Sequence, residues 1–127
     1  MNALGKHLLL ELNQCKHDTL NNLPFIRETM LIAARESGAT VLGESFHQFS
    51  PQGVSGVIII AESHLTIHTW PEHGYAGADI FTCGTTVEPE KAAEVIIERL
   101  QPKTHAIIHM NRGIINTKKR KKKQGQK

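Results

Sequence analysis

Apolar positions along this chain follow two rhythms, one of period two and one near 3.6, and the changes between them set out its elements. HLLLEL, residues 7–12, reads as a buried strand, although six mostly apolar residues do not by themselves exclude a helix. From Asn22 the period lengthens. Pro24 suits a first helical turn, Leu23, Ile26, Met30, Ala33 and Ala34 recur at helical spacing, and Gly38 supplies the stop. ATVLGESFHQF and GVSGVIIIA come next, rich in branched and aromatic side chains and separated by the breaker SPQG. They predict two strands joined by a turn. HLTIHTW then alternates, with His64, Thr66, His68 and Trp70 on one face and Leu65 and Ile67 on the other. PEHG breaks this strand and AGADIFTC resumes extended structure. Pro89 opens a second helix with Ala92, Ala93, Ile96, Ile97 and Leu100 on its apolar side, and THAIIHM closes as a short strand. Two helices among about six strands predict an α+β fold, a two-layer α/β sandwich whose mainly antiparallel sheet is covered on one face by helices.

Size and charge refine this picture. A chain of 127 residues, 39% hydrophobic, holds one core, and residues 1–116 are expected to form it. The net charge of +3 misleads, because TKKRKKKQGQK, residues 117–127, holds seven of the fifteen basic side chains and no acidic one. The first 116 residues carry eight basic and twelve acidic side chains, a balance of −4. A terminal run of like charges with no apolar residue is expected to be a disordered, solvating tail. Any attraction to nucleic acid would come from that tail alone, without base-reading chemistry. No apolar run approaches the ~20 residues of a membrane span, and Lys6 and Glu11 interrupt any signal-peptide core. A cytoplasmic protein with Cys15 and Cys83 as free thiols is the expectation.

Reactive groups concentrate in AESHLTIHTWPEHGYAGADIFTCG, residues 61–84. Glu62, Ser63, His64, His68, Glu72, His73 and Cys83 bring acids, bases and two candidate nucleophiles into a stretch otherwise built for a core. A zinc site on His64, His68 and His73 lacks the HExxH or CxxC spacing that would support it, so no metal is expected. A serine hydrolase lacks GxSxG around Ser63. Taken singly, Ser63 reads as a turn residue, His68 as a satisfied histidine and Cys83 as a small core hydrophobe.

Taken together, GVSGVIIIAESHLTIHTWPEHGYAGADIFTCG, with FHQFSPQ ahead of it, closely resembles the bacterial and archaeal S-adenosylmethionine decarboxylases. The resemblance runs over roughly residues 4–112. It implies a sheet covered by helices, a homodimer, and a proenzyme that cuts itself between Glu62 and Ser63 into fragments 1–62 and 63–127. Ser63 would become a covalent pyruvoyl cofactor. The match further implies that His68 and Ser55 serve processing and that Cys83 donates a proton during decarboxylation. Phe49, Trp70 and Glu72 resemble substrate-pocket positions for the adenine and ribose of S-adenosylmethionine. Related pyruvoyl enzymes act on arginine or ornithine, and a non-enzymatic nucleic-acid-binding protein is the alternative from another class.

These residue types suit that chemistry. Only a hydroxyl or thiol at position 63 can attack the preceding carbonyl, histidine is the side chain that titrates near neutrality, and thiols ordinarily stay protonated there. The pyruvoyl ketone would hold the substrate amine as a Schiff base and accept the electrons that carbon dioxide leaves behind, in a step toward polyamine (spermidine) biosynthesis. Parity adds a constraint. Ser63 and His68 are five residues apart, so on one uninterrupted strand they point to opposite faces. Either Ser63 lies in the turn before the strand, or the His68 that serves it belongs to a second protomer.

Overall fold

The computed structural model describes residues 2–115. Strand β1 (Asn2–Asn13) leads through a short helix α1 (His17–Leu20) into α2 (Leu23–Glu36). Then come β2 (Thr40–Gln48), β3 (Val54–Ala61), β4 (Ser63–Trp70), a 3-10 turn (Pro71–His73) and β5 (Tyr75–Cys83). Helix α3 (Pro89–Leu100) and β6 (Thr104–Ile115) complete the chain. Local chemistry explains the boundaries. The Asn22 side chain accepts the Phe25 N–H at 3.1 Å to cap α2, and Pro24 sits in its first turn. Gly38, at φ 87°, turns the chain out of α2 in a conformation that disfavours any side chain.

The six strands form one sheet in the order β2-β3-β4-β5-β1-β6, every neighbouring pair antiparallel. The α+β sandwich expected from the sequence is therefore the fold. Strand β1 is threaded between β5 and β6, which the linear pattern does not announce. Strands β1 and β6 also run longer than their apolar segments, pairing with each other from Asn2↔Ile115 to Asn13↔Thr104. Polar residues of β6 are carried in this ladder because backbone pairing, not burial, holds an edge strand. Helix α1 has only four residues, too few for a periodic signal. The basic segment 117–127 lies outside the described residues. Among the described residues no helix is long and apolar enough to cross a membrane.

Alternation divides the sheet into two unlike faces. Leu8, Leu10 and Leu12 of β1, Ile58 and Ile60 of β3, Leu65 and Ile67 of β4, and Ile80 of β5 point toward the helices and are buried. Ile26, Met30, Ala33 and Ala34 of α2 with Ala92, Ala93, Ile96 and Leu100 of α3 close over them. Ile80 lies at the centre of this layer and is 0% exposed. Replacing it with alanine is expected to lower unfolding free energy by about 2–5 kcal/mol through lost transfer energy and a residual cavity, read as an earlier urea midpoint. The opposite face has no covering element among the described residues. It carries Ile59, Ile108 and Met110, each about half exposed, beside a set of polar and aromatic side chains.

Candidate functional site

The candidate residues sit on and beside the uncovered face, and the β3–β4 hairpin sets their geometry. Ile60 pairs with Ser63, so Ala61 and Glu62 form the turn and Ser63 is the first residue of β4. The sequence left open whether Ser63 falls in the turn or on the strand; it is on the strand, and the Glu62–Ser63 bond joins the two. Ser63 has φ 115°, a left-handed backbone setting that an L-residue with a side chain occupies at a cost of about 1–3 kcal/mol. Such cost concentrates at reacting positions. On the other side, Ser63 pairs with Thr82, which brings the next residue, Cys83, beside the turn. The Cys83 N–H points at the Glu62 carbonyl oxygen from 3.4 Å. One residue thus offers an amide donor to the Glu62 carbonyl and a half-buried free thiol next to it. Cys15, by contrast, is buried, and burial pushes its thiol up, away from reactivity.

A second cluster lies toward the other end of the same sheet. Ser55 of β3 and His68 of β4 are direct cross-strand partners, with Ser55 Oγ 2.8 Å from His68 Nδ1. Trp70, two residues beyond His68 on the same face, packs its ring 5.4 Å from that of Tyr75 and 6.4 Å from that of His68. The Tyr75 hydroxyl donates to Glu11, and burial together with that bond pushes the phenol up to about 12, so it stays protonated. Phe49 follows the end of β2 and is exposed. Its ring and Pro71 both come within 4 Å of where a side chain on Gly53 would begin. Glu72 follows Pro71 in the 3-10 turn and is also exposed.

The structure therefore brings Ser55, His68, Trp70 and Phe49 to one end of the sheet, with Glu72 just past it, and Glu62, Ser63 and Cys83 to the other. It does not bring Ser63 to His68. Five steps along β4 separate them by ~16 Å, with Ser63 beside Thr82 and His68 beside Gly77. His64 and His68 share a face yet stand ~13 Å apart on the same reckoning, too far for one zinc ion.

Between the two clusters runs a polar chain that the sequence reading missed. Thr66 donates to Asp79 at 3.0 Å, His7 Nε2 reaches the other Asp79 oxygen at 3.1 Å, and Arg112 lies 2.9 Å from His7 Nδ1. An arginine can only donate, so Nδ1 accepts and Nε2 carries the proton to Asp79. The Phe81 ring stacks on His7 at 5.3 Å and lies under Arg112. A signal existed in HLLLEL, where His7 and Glu11 share a parity opposite to Leu8, Leu10 and Leu12.

Comparison with known proteins finds relatives in both sequence and structure. The family model described as S-adenosylmethionine decarboxylase matches residues 6–113. An S-adenosylmethionine decarboxylase proenzyme of Thermodesulfovibrio yellowstonii is 50% identical over 121 residues, covering 95% of this chain and 90% of its own. One from Bacillus cytotoxicus is 51% identical over 113 residues, covering 89% and 87%. The crystal structure of the adenosylmethionine decarboxylase from Aquifex aeolicus superposes with TM-score 0.86 at 36% identity, over 92% of this chain and 97% of that one.

Proposed function

The chain belongs to the S-adenosylmethionine decarboxylase family, and from that premise we propose that it cuts itself between Glu62 and Ser63 and then decarboxylates S-adenosylmethionine. The product of that reaction is the aminopropyl donor for spermidine. The observation that carries this reading is the hairpin end, where a serine in a costly backbone setting follows a carbonyl faced by the Cys83 N–H.

In the first reaction the Ser63 oxygen attacks the Glu62 carbonyl, and the amide becomes an ester as the nitrogen is released. The Cys83 amide and the Ser55 hydroxyl supply hydrogen bonds to the oxygen that gathers charge. Loss of the α-proton of residue 63 then expels the Glu62 carboxylate and leaves a dehydroalanine, which hydrolyses to a pyruvoyl group and ammonia. His68 removes that proton. The Ser55–His68 contact suits both tasks: with Nδ1–H donating to Ser55 Oγ, Nε2 is free to act as base and the serine keeps its own proton to donate.

In the second reaction the pyruvoyl group supplies the carbonyl that takes up the electrons of the departing carbon dioxide. The Cys83 thiol, beside the position where that group is made, returns a proton to the substrate α-carbon. Phe49 and Trp70 offer exposed aromatic faces for the purine, and the Glu72 carboxylate accepts the ribose hydroxyls.

This assignment needs two copies of the chain. His68 and Ser55 stand too far from Ser63 within one protomer, whereas a two-fold axis through the uncovered face sets the Ser63 end of one sheet against the His68 end of the other. The same pairing covers Ile59, Ile108 and Met110. A homodimer with composite sites follows. An intact mass spectrum under denaturing conditions is expected to give two chains, residues 1–62 and 63–127, the second lighter than its sequence by the loss of ammonia from serine. One full-length mass after prolonged incubation would refute self-cleavage. Release of labelled carbon dioxide from arginine or ornithine, and none from S-adenosylmethionine, would overturn the substrate.

A further inference from the structure

His47 takes no part in either covalent reaction, yet it stands between the Ser55–His68 pair and Phe49. Its backbone pairs with Ser55, which pairs with His68, so the three residues form one cross-strand row on the uncovered face. Side chains in such a row start ~4.5–5.5 Å from their neighbours. The cavity beside them is lined by Ser45, His47, Ser55, Val57, Thr66 and His68. On its other side, the His47 ring meets the Phe49 ring edge to face, with centroids 4.6 Å apart and planes at 72°.

The backbone around Phe49 is already held. Its N–H donates to Gly53 O at 2.8 Å, and Asn21 Oδ1 accepts from both the Gly53 N–H and the Gln48 side chain, tying this turn to the residue that follows α1. None of those bonds orients the exposed ring. The His47 ring does, because an edge-to-face contact favours one setting of the Phe49 ring over free rotation.

We propose that His47 is a positioning residue that orients the Phe49 ring as the platform for the purine and joins that platform to the Ser55–His68 pair. The proposal rests on the reading that Phe49 receives the nucleoside. A ring-shaped neighbour is what the role requires, and the imidazole nitrogens are incidental to it. Removing the ring is expected to weaken binding of the substrate while sparing both covalent steps.

The experiment compares His47→Ala, His47→Phe, His47→Gln and Phe49→Ala as purified, full-length enzymes, with the fraction cleaved, kcat and KM for S-adenosylmethionine measured for each. His47→Ala is expected to raise KM about three- to tenfold, the size of one lost aromatic pair, with kcat and cleavage within twofold of the parent. His47→Phe restores KM and His47→Gln does not. If the alanine variant fails to fold, the Phe and Gln pair carries the same contrast. Unchanged KM in His47→Ala beside a raised KM in Phe49→Ala overturns the proposal alone, as does full rescue by Gln or a loss of cleavage at constant KM. Unchanged KM in Phe49→Ala overturns the reading of the pocket beneath it.

Discussion

Mixing a Ser63→Ala chain with a His68→Ala chain is expected to restore cleavage and decarboxylation that neither chain has alone. The expectation follows from the ~16 Å that five residues of strand put between Ser63 and His68. No rotamer spans that gap. In the proposed two-fold dimer each site would take Ser63 and Cys83 from one protomer and Ser55 and His68 from the other. After random exchange, half of the dimers are mixed, and each mixed dimer holds one site with both residues intact. The other site of each mixed dimer carries both substitutions and stays silent. Recovery should then approach about a quarter of the parent rate. Exchange is verified independently by differently tagged chains purified in sequence. Absence of any recovery once exchange is proven would return the whole site to a single protomer and remove His68 from the chemistry of Ser63.

Replacing Cys83 with alanine is expected to separate the two reactions. The variant keeps its backbone N–H, and with it the donor facing the Glu62 carbonyl, so cleavage into residues 1–62 and 63–127 should proceed nearly as before. It lacks the thiol, so turnover of S-adenosylmethionine should fall by about a hundredfold or more, the usual worth of a positioned proton donor. Cys83→Ser gives a useful intermediate case, with a weaker acid in the same place. Turnover at the parent rate in the alanine variant would exclude the thiol as donor. Loss of cleavage in the same variant would show instead that the side chain, and not only the amide, acts on the scissile bond.

Much of this was legible in the linear pattern, and what was not has a common cause. The alternation in HLTIHTW gave both the strand and its two faces, because every side chain on β4 meets either the helices or the uncovered face. The same alternation already implied that Ser63 and His68 cannot meet on one strand. The periodic run from Leu23 to Ala34 gave α2 because its buried stripe is continuous. Strand order was invisible, since nothing local to HLLLEL says that its neighbours will be β5 and β6. The final stretch of β6 through Asn111, Arg112 and Gly113 was missed because exposure leaves no apolar signature. Likewise His47, and the chain from Thr66 to Arg112, depend on register between strands far apart in sequence. Motif resemblance named the candidate residues one by one, but only the register divided them into two groups.

The threading of β1 between β5 and β6 gives the cleaved molecule an unusual relation to its own folding. On the proposed cut between Glu62 and Ser63, β1, β2 and β3 would belong to one fragment and β4, β5 and β6 to the other, so three of the five seams in the sheet, β3 with β4, β5 with β1 and β1 with β6, would join different chains. Neither fragment can be drawn away without opening a strand on both of its edges, and the product stays together with no covalent link. Reassembly is another matter. In the uncut chain the halves meet at an effective concentration of ~1 mM set by their tether, whereas after cleavage they must find each other by diffusion. Renaturation of the mature protein should therefore be second order in protein and fail on dilution, while a Ser63→Ala chain refolds at a rate that dilution leaves alone. On this reading the Glu62–Ser63 bond would be a scaffold for a single use, present while the strands interleave and dispensable once they have.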